Sequence, residues 1–216
     1  MSPLTLLLAS ASPARLATLR AAGVDPLVQV SAVDEPAVVA RAEATAGTLA
    51  AEDVALLLAR AKAEDVAAEL VGEPADLVLG CDSVLELDGE VHGKPADAQE
   101  ARDRWRRMRG RSGVLQTGHW LVDVREPNAG GSGGMVGGTC STTVHFADLD
   151  DEEIDAYVAT GEPLRVAGAF TLDGLGGPYV TGIEGDPSSV IGVSLPLLRD
   201  LVRDLGLRWH DLLRAP

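Results

Sequence analysis

The sequence predicts a mixed α/β (α+β) fold, and three observations lead to this class. Near the N-terminus, apolar runs that do not alternate with polar residues indicate strands buried on both faces, and helical segments separate them. Farther along, runs with strand character follow one another across short or glycine-rich connections, as in antiparallel pairs. A chain of 216 residues, 46% hydrophobic and 24% charged, is long enough to bury such a core as one domain or two intimate lobes.

The first elements are a strand, a helix and a second strand. Leu4–Ala9 is apolar apart from Thr5 and predicts a buried strand. Ser12 is a favourable N-cap with Pro13 at the first helical position, and Gly23 provides a stop signal. Leu27–Ser31 then predicts the second strand.

A polar turn at Val33–Pro36 precedes the longest predicted helix, Ala50–Leu70. This segment is rich in alanine and carries its apolar residues at helical spacing. Asp76–Leu87 predicts a long strand, and Asp88 with Gly89 is a typical two-residue hairpin turn. The strand is therefore expected to fold back on itself directly after Leu87.

The remaining elements alternate between capped helices and strands. They are a helix from Asp97 to Arg109, strands Val114–Val124 and Thr139–Phe146, a helix over Asp150–Thr160, a strand near Tyr179–Ile183 and a helix over Leu195–Leu205. Glu126–Gly138 is rich in glycine and predicts a flexible hairpin loop. Its glycines do not follow a phosphate-binding spacing, so we expect no chemistry there.

Charge and composition limit the classes of partner. The formal net charge of -15 argues against broad affinity for nucleic acid or an anionic membrane, so an anionic substrate would need locally gathered cations. Cys81 and Cys140 form neither a disulfide framework nor a zinc spacing. The apolar start lacks the basic segment of a signal peptide, and no run approaches the ~20 apolar residues of a membrane span. The sequence thus predicts a soluble, cytoplasmic protein.

The turn between the first strand and helix is the first candidate site. Ser10 and Ser12 place hydroxyl groups beside the free amides of a helix N-terminus, and Arg15 adds a positive charge. Such a turn binds anions. The alternative, in which Ser12 only caps the helix and Arg15 is solvated, is equally compatible with the spacing.

Asp82 is the second candidate, because it interrupts an apolar strand where an unpaired carboxylate is costly. Lys94 follows a hairpin that folds it back toward that strand, and a carboxylate with a lysine suits a metal–polyphosphate complex. A purely structural Asp82–Lys94 ion pair is the alternative. The segment is not a P-loop, because the glycine spacing is short and Pro95 occupies the Ser/Thr position.

Weaker signals surround these two sites. Glu35 as a loop acid and Lys62 on a helix would ordinarily be solvated, and the four histidines show no metal-binding spacing. The glycine-rich segment that runs from Gly161 through Asp173 and Gly174 to Asp186 permits a close backbone approach to a ligand, and Phe170 within it can pack against a base. A tight connection between strands explains this stretch equally well.

Taken together, these segments resemble the Maf family of nucleotide pyrophosphatases, also described as septum-formation inhibitors. The match extends over nearly the whole chain, in motifs whose order and spacing are more specific than any one of them. The motifs are LASASPAR at Leu8–Arg15, VDE at Val33–Glu35, ALLLARAKAEDVA at Ala55–Ala67, GCDSVLELDGEVHGKP at Gly80–Pro95, GEPLRVAGAFTLDG at Gly161–Gly174 and IEGDPSSVIGVSLP at Ile183–Pro196.

The resemblance implies a single domain over residues 1–216, with two lobes around a nucleotide cleft like that of the inosine triphosphate pyrophosphatases. It implies hydrolysis of a nucleoside triphosphate to the monophosphate and pyrophosphate with Mg²⁺ or Mn²⁺, and a homodimer. By position in the motifs, Asp82 is the catalytic base and a metal contact, and Glu35 is the second metal-associated carboxylate. The phosphate-binding positions are Ser10, Ser12, Arg15, Lys62 and Lys94.

Three positions depart from the family pattern. Ala14 replaces the first of two arginines, Val166 replaces a lysine and Asp173 replaces a glutamine near the base pocket. We therefore expect base preference to differ, with Ser83 and Asp173 as candidate base contacts; an acid at position 173 accepts from an amine or ring N–H of guanine or cytosine. Removal of non-standard nucleotides and a link to cell-division arrest are further implications. The alternatives are a non-catalytic nucleotide-binding regulator of septum formation and a protein-interaction module.

Overall fold

The computed structural model describes residues 3–70 and 75–213, and the predicted mixed α/β class is confirmed. Its strands are β1 (Leu6–Leu8), β2 (Leu27–Val28), β3 (Leu77–Leu87), β4 (Glu90–His92), β5 (Ser112–Asp123), β6 (Met135–Phe146) and β7 (Val180–Glu184). Its α-helices are α1 (Pro13–Ala21), α2 (Glu35–Ala46), α3 (Ala51–Glu69), α4 (Ala98–Met108), α5 (Asp151–Ala159), α6 (Pro187–Ile191) and α7 (Leu195–Asp204).

One mixed sheet contains all these strands. Its order is β2-β1-β3-β5-β6-β7, and β4 adds to β3 as a hairpin. The pairs β1–β2 and β1–β3 are parallel, whereas β3–β4, β3–β5, β5–β6 and β6–β7 are antiparallel. Parallel neighbours need helical crossovers and antiparallel neighbours do not, which explains why helices separate the early strands.

Local sequence signals begin most helices where they were predicted. Ser12 accepts from the backbone N–H of Arg15 at the start of α1, and Asp97 caps α4 in the same way. Asp150 and Glu153 form a reciprocal capping box at the start of α5. These side chains satisfy amides that a helix N-terminus otherwise leaves without partners.

Two sequence predictions are corrected. The polar turn at Val33–Pro36 is the start of helix α2, with Asp34 as N-cap accepting from the N–H of Ala37. The predicted loop Glu126–Gly138 is shorter, because β6 begins at Met135 and pairs with β5 from there. Glycines in that strand do not prevent pairing, since the β5 ladder supplies the hydrogen bonds whatever the side chains are.

The buried core lies in separate clusters along β3. One cluster surrounds Trp105 and includes Leu85 and Leu87 from the second half of the strand. Another packs under α7 and includes Leu77 and Leu79 from the first half. Strand β3 therefore passes from one core to the other. Among the described residues, no helix is both long enough and apolar enough to cross a bilayer.

Candidate active site

Strand β3 changes neighbours halfway along one edge. There β1 pairs with Leu77–Leu79 and β4 pairs with Leu85–Leu87, whereas β5 pairs with residues 77–86 along the other edge without a break. Asp82 lies in the middle of the interval between β1 and β4. A cleft of about 670 Å³ borders this interval, within the usual range for a small-molecule site.

The cleft brings the sequence-predicted site residues together. All of them line it: Ser10, Ser12, Arg15, Glu35, Lys62, Asp82, Ser83, Lys94 and Asp173. They come from elements spread over more than 160 positions of the chain, and the fold gathers them at one place.

Lys62 lies between two carboxylates. Its Nζ is 2.5 Å from Oδ1 of Asp82 and 2.7 Å from Oε1 of Glu35. Lys62 and Asp82 are each only 8% exposed, so the lysine is not the solvated side chain that its helical position ordinarily suggests. The alternative of an Asp82–Lys94 pair is also corrected, because the ion-pair partner of Asp82 is Lys62.

Asp82 lies in an environment that favours its protonated form more than water does. Burial raises the pKa of the Asp82 carboxyl above its ordinary value, and the charges of Lys62 and Arg15 oppose the rise without cancelling it. Only Oδ1 receives a hydrogen bond from the described residues, so Oδ2 is available at the cleft. A carboxylate with a raised pKa and one available oxygen is suited to accept a proton.

Two glycines allow α3 to approach the sheet closely enough for this contact. Gly118 lies opposite Asp82 on β5, and a Cβ there would overlap the carbonyl of Ala55 on α3. A Cβ at Gly80 would overlap the carbonyl of Ala59. Alanines on the facing side of the helix complete the close packing, and this places Lys62 over the Asp82 carboxylate.

Arg15 is 9% exposed and has a role in holding the site together. Its Nε donates to the carbonyl of Gly192 at 2.8 Å, and Nη1 donates to the carbonyl of Cys81 at 2.8 Å. Nη1 and Nη2 also donate to the hydroxyls of Ser10 at 3.0 Å and Ser83 at 3.2 Å. Four of the five N–H groups of this guanidinium are therefore directed at the protein, which limits what Arg15 offers to a phosphate.

Two other cations line the cleft with their charge available. Neither Lys94 nor Arg165 forms an ion pair or a side-chain hydrogen bond with any residue that the structure describes, and both are exposed. The sequence contains only two lysines, Lys62 and Lys94, and both border the cleft. Sequence reasoning did not select Arg165, although it lies inside one of the motifs quoted above.

Residues of the glycine-rich segment between Arg165 and Asp173 form another wall of the cleft. Phe170 is 4% exposed and packs edge-to-face on Phe146 at 5.0 Å between ring centres, so most of its ring belongs to the core. Asp173 and Thr171 line the cleft beside it. Glu162 accepts hydrogen bonds from the residues that follow Phe170, and these contacts shape the wall.

Sequence reasoning also missed His119, which is fully buried in β5. Its Nε2 accepts from the N–H of Ser194 at 2.8 Å, and its Nδ1 donates to the carbonyl of Thr117 at 3.0 Å in the tautomer that this requires. Burial lowers the pKa of His119 to about 4, and the charge of Arg15 acts in the same direction. The neutral ring thus joins β5 to the start of α7 behind the cleft.

The carboxylates in the cleft fit a metal ion that arrives with a polyphosphate. Within residues 3–70 and 75–213, no cluster of three or more Asp, Glu, His or Cys side chains is arranged to enclose a metal ion. Glu35 and Asp82 meet at Lys62 and supply two carboxylate groups. Mg²⁺ is commonly bound through one or two carboxylates together with substrate phosphates and waters, so this donor set suits it.

The fold and this cleft define an α/β protein with a small-molecule cleft that both acidic and basic side chains line. The family model for Maf-like protein matches residues 5–205. The chain therefore belongs to the Maf-like protein family.

Curated relatives extend the match over nearly the whole chain. A protein of Leifsonia xyli subsp. xyli named nucleoside triphosphate pyrophosphatase is 56% identical over 208 residues, covering 96% of this chain and 95% of that protein. One of Nocardia farcinica with the same name is 56% identical over 214 residues and covers 98% of both chains.

Among solved structures, a dITP/XTP pyrophosphatase from Mycobacterium abscessus is 18% identical. The match covers 68% of this chain and 76% of that one, with a TM-score of 0.34.

Proposed function

We propose that this chain hydrolyses nucleoside triphosphates to nucleoside monophosphates and pyrophosphate with the help of a divalent cation. The observation that carries the proposal is the contact of Lys62 with Asp82, both buried, and with the exposed Glu35 at the cleft. Binding alone needs no carboxylate with a raised pKa and an available oxygen. The names of the curated relatives support the same reaction.

The turn at the start of α1 is the proposed site for the phosphates. Ser12 Oγ accepts from the N–H of Arg15, and the Ser12 N–H donates to Ser10 Oγ, so both hydroxyls are fixed at the helix N-terminus. Backbone amides and the helix dipole favour an anion at this position. Arg15 holds the turn, and Lys94 with Arg165 provides positive charge across the cleft.

Glu35 and Asp82 are the residues that would hold Mg²⁺ or Mn²⁺. The cation, when bound with the triphosphate, supplies Lewis-acid neutralisation of the phosphate oxygens. Lys62 contacts both carboxylates and prevents them from repelling each other before the ligand arrives.

Proton transfer is the proposed task of Asp82. Oδ2 takes a proton from a water whose oxygen attacks the α-phosphorus, and the bond from that phosphorus to the bridging oxygen breaks. Pyrophosphate leaves, and its charge is neutralised by Lys94 and the amides of the turn. Lys62 meanwhile keeps Oδ1 in a fixed position, so Oδ2 points consistently at the water.

Base preference is assigned to Asp173 and Ser83, the two remaining predicted contacts in the cleft wall. The hydroxyl of Ser83 lies in the Arg15 network and 3.0 Å from that of Thr117, so Asp173 is the freer of the two. An acceptor at Asp173 suits guanine, cytosine or a modified base with a similar N–H. We also propose the removal of non-standard nucleotides, because Asp173 can accept from the N–H of a modified base.

The second candidate is a non-catalytic regulator of septum formation. A link to cell-division arrest, a homodimer and a cytoplasmic location rest only on the family resemblance. A variant that binds nucleotide without hydrolysing it separates a regulatory role from catalysis. The site geometry favours catalysis, because a regulator gains nothing from a buried carboxylate that costs folding free energy.

The decisive experiment incubates the protein with a panel of nucleoside triphosphates and Mg²⁺ or Mn²⁺, and measures pyrophosphate and orthophosphate separately. We expect pyrophosphate and monophosphate as first products, and loss of both after chelation of the metal. Asp82→Asn should lose the activity, whereas Glu86→Gln, on the same strand and outside the cleft, should keep it. Orthophosphate as first product, or full activity in Asp82→Asn, would contradict the proposal.

A further inference from the structure

We infer that Glu162 is a positioning residue that fixes the loop of residues 171–176 and, through it, the base-contacting Asp173. This inference rests on the proposed function, because it assigns that loop to the nucleoside end of the cleft. Charge supports the assignment, because the acidic side chain of Asp173 in the wall repels a triphosphate and suits the nucleoside end of the cleft better.

The Glu162 carboxylate receives four hydrogen bonds from residues that the structure describes, and three of them come from the loop. Its Oε1 accepts from Thr171 Oγ1 at 2.5 Å and from the N–H of Gly176 at 3.1 Å. Its Oε2 accepts from the N–H of Leu175 at 3.0 Å. The fourth donor is the hydroxyl of Tyr157 on α5, at 3.0 Å, so a residue outside the loop also fixes the carboxylate.

The hydrogen bonds to this carboxylate join positions of the loop that lie apart in the sequence. Thr171 Oγ1 also accepts from the N–H of Gly176, so both ends of the loop meet at Glu162. A Cβ at Gly174 would lie 2.6 Å from Glu162 Oε2, which shows how closely the loop wraps around the group. Hydrogen bonds that converge on an ionised carboxylate favour its charged form, and the pKa of Glu162 is lowered accordingly.

Asp173 lies inside this closed loop, between the residues that contact Glu162. The loop amides at positions 175 and 176 and the hydroxyl at position 171 all need an acceptor, and Glu162 supplies it. An amide at position 162 keeps one acceptor and places an NH₂ group against a donor of the loop. The loop then loses its geometry, and Asp173 loses its fixed distance from the base.

The test compares Glu162→Gln with Glu153→Gln, the same chemical change on helix α5 away from the cleft. Pyrophosphate release is measured with four triphosphates that differ in base. In Glu162→Gln we expect KM for the preferred nucleotide to rise about tenfold, kcat to change less, and the preference between bases to shrink. Glu153→Gln should match the unaltered chain in all three.

A second measurement is independent of activity. Hydrogen exchange of the Leu175 and Gly176 amides should accelerate about tenfold in Glu162→Gln and not in Glu153→Gln. If Glu162→Gln does not fold, Thr171→Val and Thr171→Ser replace it. The valine removes the hydroxyl donor to Glu162 and should accelerate exchange and reduce base preference. The serine keeps the donor and should retain the exchange rate and base preference of the unaltered chain.

Faster exchange with unchanged KM and base preference would overturn the role of Glu162 and leave the pyrophosphatase function standing. Unchanged exchange would overturn the anchoring itself. If the unaltered chain releases no pyrophosphate from any nucleotide, the proposed function fails, and the assignment of the loop to the nucleoside fails with it.

Discussion

Replacement of Asp82 by asparagine is expected to affect stability and activity in opposite directions. The pKa of Asp82 is raised in the folded state because burial outweighs the attraction of Lys62 and Arg15. The folded protein thus binds the Asp82 proton more tightly than the unfolded chain does. At neutral pH the ionised carboxylate therefore destabilises the fold, and a neutral amide removes that cost.

The direction of the stability change follows from the same balance. A neutral amide does not carry the burial cost of the charge, so Asp82→Asn should raise the free energy of unfolding. Asparagine retains an acceptor for Lys62 in place of Oδ1 and can turn its NH₂ group toward the cleft. Activity should fall about 10²–10⁴-fold, as expected when a general base is removed.

Lys62→Met is the contrasting variant. It leaves Asp82 and Glu35 without the ammonium that both contact, and removing one partner of a buried pair typically costs about 3–5 kcal/mol. Because Lys62 gives the largest opposing contribution to the Asp82 carboxyl, its loss increases the cost of that charge. The double variant Asp82→Asn/Lys62→Met should recover part of the stability that Lys62→Met loses, because it has no carboxylate charge at position 82.

Urea unfolding without nucleotide and with a chelator measures these free energies, and pyrophosphate release measures the activity. Glu86→Gln again serves as the control on the same strand. The reasoning is refuted if Asp82→Asn lowers the free energy of unfolding. It is also refuted if the double variant is no more stable than Lys62→Met alone.

Three further predictions concern the surroundings of the site. With a native pKa of about 4 for His119, the contribution of this residue to the unfolding free energy should fall by about 3 kcal/mol between pH 6.5 and 4, because the unfolded chain gains the proton at higher pH than the folded protein does. His119→Gln should flatten that slope in urea titrations, and an equal slope would contradict it. Gly118→Ala should cost about 2 kcal/mol or more in the same assay, because its Cβ overlaps α3, whereas Gly93→Ala has open space and should cost far less. Lys94→Met should raise KM about tenfold with unchanged stability, because Lys94 is exposed and lacks a protein partner within the described part of the chain; an unchanged KM would exclude its phosphate contact.

Local rules predicted the parts of this fold that depend on local chemistry. The caps at Ser12, Asp97 and Asp150 are each set by one side chain and the next few amides, so the sequence is sufficient for them. Asp82 was predictable for a related reason, since an acid in an apolar strand needs a partner wherever the strand lies. Helix α2 was missed because its start, Asp34 and Glu35, also reads as a polar turn.

The long-range contacts were not predictable in the same way. His119 is bonded to a residue 75 positions away, and Arg15 to one 177 positions away, so no local pattern reveals that either is buried. Lys62 did carry a signal: it lies four residues after Leu58 and four before Val66, both buried on the same helical face. A charged residue on that apolar face was evidence for a buried partner, and its position outweighed the usual preference of lysine for solvent.

The position of Arg15 changes how the departures from the family pattern should be understood. The resemblance predicts an arginine where Ala14 stands, and the remaining Arg15 directs four N–H groups at the protein. One of these bonds satisfies the carbonyl of Cys81 in the interval of β3 that has no strand on that edge, so Arg15 is needed for the fold of the site. Positive charge for a polyphosphate must then come from side chains that the fold leaves available. Lys94 and Arg165 meet this condition, and Arg165 stands directly before Val166, the other position where a family cation is absent. We therefore expect Arg165→Ala to weaken triphosphate binding more than Arg15→Lys does, and Arg15→Lys to lower stability more than Arg165→Ala does.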